Sequence, residues 1–402
     1  MKKLLVILAM FISMNTNAQW VNVPNGLSTN QEIWSMASIG NNLFAGNYNG
    51  VYISTNDGAN WSLTSLNING NVLLVSGSNI YAGTTNGVHL TSNNGTNWNQ
   101  LGVGPQGVWA LAKYGDTIFA GTGNGLYRSI NNGTNWTLTT GGNISSLAIN
   151  GNHIFAGDWG SSTVWVSSNN GSNWDSTSLG NPFTDVVFSL AVKGNKIFAG
   201  TDNGGIFVTS NNGANWTQTS LNNASINSIK INGNNIFAGE LFYQKCVYLS
   251  TNDGVNWIHK DQGMSNQAVW SLTTNNQYIF AGTGSFSGGC SVWRRSITEI
   301  VGVQSISTEI PSANSLRQNY PNPFNPVTKI RFSIPNDKQT TNNVQLIVYD
   351  VMGREVQTLV NERLQPGTYE TTFDGSMLNS SVYFYKLSTG DFTETKKMLM
   401  LK

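Results

Sequence analysis

The sequence predicts an all-β protein built from short antiparallel strands and tight turns, and three observations support this. Of 402 residues, 43 are glycine and 11% are aromatic, a composition more typical of strands and turns than of helices. Two short words recur along most of the chain with a period of roughly 40 residues. Charged residues make up only 10% of the chain and the net charge is +1, so no basic surface for nucleic acid is expected.

Residues 1–18 are expected to form a secretory signal peptide. Lys2 and Lys3 precede an apolar run from Leu4 to Ile12, and the small residue Ala18 precedes Gln19. This pattern predicts cleavage after Ala18 and export of the remaining chain. No other stretch reaches the roughly 18 apolar residues that a membrane-spanning helix needs, so no transmembrane segment is predicted.

The two repeated words divide residues 19–297 into equivalent units. The first word is "LFAG" at 43, "IYAG" at 80, and "IFAG" at 118, 154, 197, 236 and 279. The second, Ser/Thr-x-Asn-Asp/Asn-Gly-x-Asn-Trp, begins at 54, 91, 129, 167, 209 and 250. Each unit contains four short runs of β-branched and aromatic residues separated by Gly and Asn. Four strands with this period are typical of a β-propeller blade, and seven copies of the first word predict seven blades.

The second word predicts a tight hairpin between the third and fourth strands of a blade. Gly133 supplies left-handed backbone geometry, Asn131 bonds its own backbone, and Trp136 begins the fourth strand and covers the turn. The turn residues expected to have these structural roles are Gly58 and Trp61, Gly95 and Trp98, Gly133 and Trp136, Gly171 and Trp174, Gly213 and Trp216, and Gly254 and Trp257.

These turns resemble the Asp-box, or BNR, repeat of sialidase-like and glucanase-type propellers, and the resemblance covers residues 20–296. The family pattern has Asp where this sequence has Asn56, Asn93, Asn131, Asn169, Asn211 and Asn252. We call the six segments box turns.

The absence of a seventh box turn indicates where the ring is cut. The segment "WVNVPNGLSTNQEIW" at 20–34 parallels "WIHKDQGMSNQAVW" at 257–270, which joins a fourth strand to the next blade. Trp20 therefore begins a fourth strand whose own first three strands are missing. We expect this N-terminal strand to complete the last blade, which leaves no open sheet edge.

Loops at the end of the blades opposite the box turns vary in length and sequence, which favours binding there. These loops contain Trp159, Phe242, Tyr243 and Phe286, and Trp159, Tyr243 and Phe286 are the candidate binding residues among them. Four more, Trp34, Trp109, Phe188 and Trp270, occupy the equivalent first position of strand 1, where other units have Asn71, Ser145 and Asn227. They either stack on sugar rings or an extended chain, or pack between neighbouring blades.

Enzymatic activity is the alternative to binding. Sialidase activity is not expected, because the only arginines of the propeller, Arg128, Arg294 and Arg295, lie toward the box turns and cannot converge on one ligand. A glycoside hydrolase needs two carboxylates across a cleft, and Asp158, Glu240, Asp185 and Glu32 are the candidates. No metal or other cofactor is predicted, since His89, His153 and His259 lie in different units without ligand spacing.

The two cysteines, Cys246 and Cys290, begin strand 3 in neighbouring units. In an exported chain an even count suggests a disulfide. Equivalent positions in adjacent blades lie farther apart than the roughly 7 Å that a disulfide spans between Cα atoms, so two inert thiols are the alternative.

Residues 298–316 are expected to be a linker and residues 317–402 a small antiparallel β-sandwich, with strands such as "KIRFSI" and "VQLIVYDV". This segment resembles the type A C-terminal sorting domain of the type IX secretion system of Bacteroidota. The motif residues that carry the resemblance include Asn319, Pro321, Asn322, Pro323, Phe324, Asp350, Gly353 and Arg354. One departure is Ser381, where the family usually has Gly. The resemblance implies type IX secretion machinery as a partner and a location that is secreted or attached to the outer surface.

The sequence thus predicts an exported binding or adhesion propeller, with a polysaccharide or a surface protein as ligand. A glycoside hydrolase and a purely structural surface protein remain the alternatives.

Overall fold

A computed structural model describes residues 19–28, 31–102, 104–180, 186–242, 246–264, 267–284, 291–297, 300, 302–307, 309–336, 343–364, 366–375 and 378–401. The strands in this part of the chain form nine four-stranded antiparallel sheets, so the predicted all-β class is confirmed. Seven sheets lie between Val21 and Ser296, and two lie between Val303 and Met400.

The N-terminal strand is β1 (Val21–Asn22). Sheet 1 contains β2 (Ser35–Ile39), β3 (Asn42–Asn47), β4 (Gly50–Ser54) and β5 (Ser62–Leu63). Sheet 2 contains β6 (Gly70–Ser76), β7 (Asn79–Thr84), β8 (Gly87–Thr91) and β9 (Asn99–Gln100). Sheet 3 contains β10 (Val108–Tyr114), β11 (Thr117–Thr122), β12 (Gly125–Ser129) and β13 (Thr137–Thr140).

Sheet 4 contains β14 (Ile144–Asn150), β15 (His153–Asp158), β16 (Thr163–Ser167) and β17 (Asp175–Ser178). Sheet 5 contains β18 (Val187–Lys193), β19 (Lys196–Thr201), β20 (Ile206–Thr209) and β21 (Thr217–Gln218). Sheet 6 contains β22 (Ile226–Asn232), β23 (Asn235–Glu240), β24 (Val247–Ser250) and β25 (Ile258–His259). Sheet 7 contains β26 (Ala268–Thr274), β27 (Tyr278–Gly284) and β28 (Val292–Ser296), together with β1.

The Ala-Gly word lies on the second strand of each sheet, where the aromatic and alanine residues are almost completely buried. In sheet 1, Phe44 and Ala45 have no exposed surface. A Cβ added to Gly46 would lie 2.3 Å from the carbonyl oxygen of Gly70, on the first strand of sheet 2. Glycine is therefore required there because the next sheet passes too close for any side chain. The glycine of this repeated word is therefore explained by the close contact between neighbouring sheets.

The first strands of the seven sheets contact one another in cyclic order, and the last of them, β26, contacts β2. Serine hydroxyls link several neighbours: Ser35 donates to the carbonyl oxygen of Gly70, and Ser146 donates to that of Val187. Ser271 of sheet 7 donates to the carbonyl oxygen of Ile33, beside sheet 1, at 3.1 Å. This bond joins the last sheet to the first.

The N-terminal strand completes sheet 7, as the sequence predicts. β1 pairs antiparallel with β28, with Val21 opposite Arg294. Trp20 is 2% exposed, and its Nε1 donates to the carbonyl oxygen of Lys260 at 2.6 Å. The N-terminal segment is thus held by sheets 6 and 7 together.

The box turns connect the third and fourth strands in sheets 1 to 6. In sheet 3 the hydroxyl of Ser129 accepts from the N–H of Gly133 at 2.8 Å and donates to Asn131 Oδ1 at 2.9 Å. Asn132 and Gly133 both have left-handed backbones, with φ of 52° and 89°. Trp136 does more than cover its own turn, because its Nε1 donates to the carbonyl oxygen of Leu101 in the preceding unit. Trp61 and Trp98 likewise donate to Val23 O and to Thr64 Oγ1, so the box tryptophans of sheets 1 to 3 also join neighbouring sheets.

The C-terminal strands form two further sheets. Sheet 8 contains β29 (Val303–Ser307), β30 (Ser315–Leu316), β31 (Val327–Ile334) and β34 (Gly367–Asp374). Sheet 9 contains β32 (Asn343–Tyr349), β33 (Glu355–Arg363), β35 (Ser381–Thr389) and β36 (Phe392–Met400). One hydrophobic core, which includes Phe332, Leu346 and Tyr385, is shared by the two sheets.

The prediction of a linker over residues 298–316 is wrong for part of that range. β29 pairs with β34 and β30 pairs with β31, so both belong to sheet 8. Val303 is 1% exposed and Leu316 is 3% exposed. The low aromatic content of the segment concealed these strands, because their core contacts are made by aliphatic residues.

Cys246 is a free, buried thiol whose Sγ donates to the carbonyl oxygen of Met264 at 3.2 Å. Burial raises the pKa of this thiol, which makes it less reactive. Cys290 lies outside the described residues. Among the residues that are described, no helix is long and apolar enough to cross a membrane.

Candidate functional site

The two ends of the sheets differ, and we name them by their connections. The box face carries the box turns and the short hairpins between first and second strands. Asn132 Nδ2 of one box turn donates to Asp116 Oδ1 of such a hairpin, which places both on one face. The loop face is the opposite end, which carries the connections between sheets and those between second and third strands.

A β-bulge marks the loop-face end of the first strand in sheets 2 to 7. In sheet 3 the register shifts between Val108 and Ala110, so that Trp109 is the extra residue. The other bulged residues are Asn71, Ser145, Phe188, Asn227 and Trp270. Trp34 takes the corresponding place before β2, and its N–H donates to the carbonyl oxygen of Gly46. Bulges redirect side chains and are frequent beside binding sites.

All seven of these residues line one cavity of about 610 Å³, to which every one of the seven sheets contributes. We call it the mouth cavity; its walls also include Ser35, Val72, Ala110, Leu111, Gly123, Asn143, Ser146, Leu147, Trp159, Ser189 and Leu190. Its size lies within the roughly 300–1,000 Å³ of small-molecule pockets. The sequence-predicted aromatic positions Trp34, Trp109 and Trp270 therefore converge with Trp159.

Several aromatic rings of the mouth cavity are accessible to solvent. Trp109 is 52% exposed and Trp159 is 48% exposed. The Trp159 ring meets that of Phe188 edge to face, with centroids 5.4 Å apart, and Trp34 meets Tyr48 in the same way at 6.4 Å. Exposed rings held by neighbouring rings form rigid surfaces on which a ligand can stack. Packing between blades does not account for Trp109, because half of its surface is exposed.

The polar bulged residues donate their hydrogen bonds to backbone carbonyl oxygens of the protein. Asn71 Nδ2 donates to the carbonyl oxygen of Val108 at 3.2 Å, and Asn227 Nδ2 donates to that of Trp270 at 2.6 Å. The Ser145 hydroxyl donates to the carbonyl oxygen of Val187 at 2.8 Å. What remains available on these three side chains is oxygen, which accepts hydrogen bonds. Asn71 Oδ1 is buried and has no partner.

Among the described residues, the candidate carboxylates Glu32, Asp158 and Glu240 do not line the mouth cavity. Glu240 is 1% exposed, and its Oε2 accepts from the Tyr248 hydroxyl at 3.3 Å. Burial and the adjacent Glu240 carboxylate raise the pKa of Tyr248 well above its usual value. Glu32 Oε2 accepts from Trp34 Nε1, and Asp158 Oδ1 accepts from the N–H of Gly160. Asp185 lies outside the described residues.

The three arginines bind away from the mouth cavity, as predicted. Arg128 donates to the carbonyl oxygen of Asn170, and Arg294 donates to that of Asp57; both acceptors are in box turns of the next sheet. Arg295 is 4% exposed and donates to Gln262 Oε1 at 2.8 Å. No arginine cluster for a carboxylate ligand is formed among these residues.

Two loop residues chosen from the sequence, Tyr243 and Phe286, lie outside the described residues and stay predictions. Two further residues were not expected from the sequence: Asn143 lines the mouth cavity, and the ring of Tyr48 contacts that of Trp34. Both lie in loop-face connections of ordinary length. An aromatic or amide residue in such a connection was the feature of the sequence that could have indicated these two positions.

The predicted sorting-signal residues mostly stabilise turns of the C-terminal sheets. Asn319 is 2% exposed, and its Nδ2 donates to Pro321 O and to Thr328 Oγ1. Asn322 Oδ1 accepts from the N–H of Leu399. Phe324 is buried, while Tyr320 between these anchors is 81% exposed.

A second motif, residues 350–354, forms the turn between β32 and β33. Asp350 Oδ2 accepts from Arg354 Nε at 2.7 Å, and Gly353 has a left-handed backbone with φ of 76°. The backbone N–H of Arg354 also donates to Asp350 Oδ1, and together these bonds lower the pKa of Asp350. In the first motif, Pro323 follows a cis peptide bond from Asn322.

Two family models match parts of the chain. Residues 318–401 match the secretion system C-terminal sorting domain, and residues 139–265 match the DUF6242 beta propeller domain. The chain therefore contains a β-propeller and a type IX sorting domain. The sorting domain indicates export, followed by secretion or attachment to the outer surface, and implies interaction with the type IX secretion machinery. No curated protein matches the chain in sequence.

Several solved structures are similar in fold. YCF48 from Cyanidioschyzon merolae is 14% identical with a TM-score of 0.55, and the match covers 71% of this chain and 100% of that one. The extracellular domain of a proposed one component system from B. thetaiotaomicron is 18% identical with a TM-score of 0.57, covering 79% of this chain and 46% of that one.

The GH74 xyloglucanase from Xanthomonas campestris is 12% identical with a TM-score of 0.53, covering 78% of this chain and 59% of that one. This chain thus spans about half the length of the last two proteins. At such identities the likeness establishes the fold alone.

Proposed function

We propose that this chain is an exported binding protein that holds its ligand on the loop face of a seven-bladed Asp-box propeller. The observation that carries the proposal is the mouth cavity, where five aromatic side chains from different sheets surround one concave surface. Exposed aromatic clusters of this kind mark binding sites on soluble proteins.

The proposed domain organisation follows the sheets. Residues 1–18 are a cleaved signal peptide, and residues 19–297 form the propeller, closed by β1. The cyclic contacts of the first strands and the pairing of β1 with β28 support a closed ring of seven blades. Residues 317–402 form the sorting domain, an immunoglobulin-like β-sandwich to which β29 and β30 are added.

The proposed ligand is an extended polysaccharide at the cell surface, with a surface protein as the second possibility. Trp159, Tyr243 and Phe286 are the proposed stacking residues of the loops. Trp34, Trp109 and Trp270, which line the mouth cavity together with Trp159, are proposed as further stacking residues. Binding without hydrolysis is supported by the described carboxylates, because Glu240 is buried and Glu32 is bonded to Trp34.

Retention on insoluble polysaccharides tests this function. The wild-type chain is compared with a variant that combines Trp159→Ala, Tyr243→Ala and Phe286→Ala. If each ring contributes about 1 kcal/mol, the three changes weaken binding by roughly a hundredfold. Equal retention of both proteins would remove these rings from the site, and release of reducing sugar would identify a glycoside hydrolase instead.

A further inference from the structure

We infer that the mouth cavity binds an uncharged sugar unit at the end or on a branch of a glycan, and that it excludes acidic sugars. This inference rests on the proposed binding function and assigns a ligand class to one part of the loop face. Four observations carry it: the order of residues around the cavity, their free hydrogen-bonding atoms, their lack of charge, and the closed shape of the wall.

At Trp34 and the six bulged positions, aromatic and polar residues alternate from sheet 1 to sheet 7, and two aromatic residues meet where sheet 7 contacts sheet 1. Sheets 1, 3, 5 and 7 contribute aromatic rings, and sheets 2, 4 and 6 contribute amides or a hydroxyl. A sugar has two faces of C–H groups and an edge of hydroxyl groups. The aromatic rings can stack on the C–H faces of a sugar, and the polar side chains between them can bind its hydroxyl groups.

The free polar atoms of the cavity favour a ligand that donates hydrogen bonds. The amide nitrogens of Asn71 and Asn227 and the hydroxyl proton of Ser145 are already used on carbonyl oxygens of the next sheet. Their oxygens therefore remain as acceptors. Asn71 is 6% exposed and its buried Oδ1 lacks a partner; a small shift of this side chain toward the cavity would let a hydroxyl donor satisfy it. Sugar hydroxyls donate, whereas carboxylate and phosphate groups only accept.

The walls of the mouth cavity carry no charge among the described residues. A bound carboxylate would lose its hydration without gaining a cationic partner, which is costly. A bound ammonium group would also lack a carboxylate in the wall, so an uncharged ligand is the best match.

The cavity is enclosed laterally by the first strands of all seven sheets. A polymer crossing the loop face can therefore place only a terminal unit or a branch inside. The volume of about 610 Å³ holds a short oligosaccharide rather than a long stretch of chain.

Calorimetric titration of the full chain with soluble oligosaccharides tests the inference. The probes are neutral gluco-, manno- and xylo-oligosaccharides, acidic oligogalacturonides and cationic chitosan oligosaccharides of similar length. Trp109→Ala removes an exposed ring of the cavity. Tyr114→Ala is the matched control, because Tyr114 ends the same strand β10 on the box face and is 55% exposed, close to the 52% of Trp109.

We expect at least one neutral probe to bind, Trp109→Ala to weaken it about tenfold, and Tyr114→Ala to leave it unchanged. Oligogalacturonides should not bind the wild-type chain. They should bind Asn143→Lys, which adds a cation at an exposed position of the cavity wall. Thermal unfolding of each variant checks that the fold is retained.

Two sets of results would overturn the inference. One is wild-type binding of oligogalacturonides or chitosan oligosaccharides as tight as that of the neutral probes. The other is neutral binding that is absent, or that Trp109→Ala leaves intact. If insoluble polysaccharide still retains the chain in these cases, the assignment of an uncharged sugar to the mouth cavity is wrong while the proposed function stands. If insoluble polysaccharide does not retain the chain either, both the inference and the proposed function are wrong.

Discussion

Ser129 shows how one residue fixes a box turn. Its side chain is 1% exposed, and its hydroxyl joins the N–H of Gly133 to Asn131 Oδ1. Asn131 Oδ1 also accepts from the N–H of Asn135 at 3.0 Å. The same set of bonds recurs in the other five box turns, for example through Ser54 and Asn56. An amide oxygen supplies the acceptor here, so the Asp of the family pattern is not needed to close the turn.

Replacing Ser129 by Ala should destabilise the propeller. The buried N–H of Gly133 would lose its acceptor, which costs about 1–3 kcal/mol. The free energy of unfolding in denaturant measures this. Ile130→Ala in the same turn is the control, since Ile130 is 65% exposed and should change stability by less than about 0.5 kcal/mol. Equal effects of the two changes would contradict this role of the hydroxyl.

Glu370 gives the C-terminal sheets a pH dependence. Burial raises the pKa of this carboxyl, but hydrogen bonds from Lys329 and Arg331, at 2.7 Å and 2.6 Å, lower it overall. The associated stability is present above the pKa of the unfolded glutamate, roughly 4.3, and is lost as pH falls through the lower folded pKa. Glu370→Gln should destabilise the sheets at pH 7 and reduce their loss of stability on acidification. Unfolding curves at several pH values check this, and an unchanged acid response would argue against it.

At the scale of single elements, the two-residue strand β1 closes the edge of sheet 7. It covers the edge of β28, and Trp20 just before it is buried against sheet 6. Without this segment sheet 7 would have three strands and an open edge.

Deleting residues 19–24 should therefore lower the melting temperature and promote aggregation. Loss of the buried Trp20 side chain alone would cost roughly 3–5 kcal/mol. Val21→Thr serves as the control, because Val21 is 50% exposed and its backbone pairing is kept. An unchanged melting temperature in the deletion variant would count against ring closure by β1.

The elements that the sequence predicts best are those with local causes. The box turns follow from Asn and Gly at left-handed positions. The N-terminal strand β1 follows from the sequence similarity between residues 20–34 and 257–270. The bulges at Trp109 and its equivalents were not predictable, since an extra residue in a strand depends on the register of its partner. β29 was missed because its core contacts come from Val303 and the distant strand β34. The roles of Tyr243 and Phe286 stay predictions.

At the scale of the whole molecule, the sorting domain and the propeller have separate tasks. Sheets 8 and 9 share a hydrophobic core that also includes Ile258 of sheet 6, and Ile300 packs with residues of the propeller. A chain that ends at Ile300 should keep the propeller core without leaving β29 or β30 unpaired.

This truncated chain should fold but stay in the periplasm of its host, because it lacks the matched sorting domain. Cell fractionation and surface proteolysis locate it, with the full chain as the control. Normal appearance of the truncated protein on the surface would contradict the assigned role of the C-terminal sheets.

Hydroxyl-radical footprinting of the full chain, with and without a retained polysaccharide, tests most directly which face binds. Trp109 and Trp159 on the loop face and Tyr114 and Ile130 on the box face are all exposed in the free protein. We expect the ligand to protect Trp109 and Trp159 from oxidation while Tyr114 and Ile130 react as before. Protection of Tyr114 and Ile130, with Trp109 and Trp159 unchanged, would contradict it.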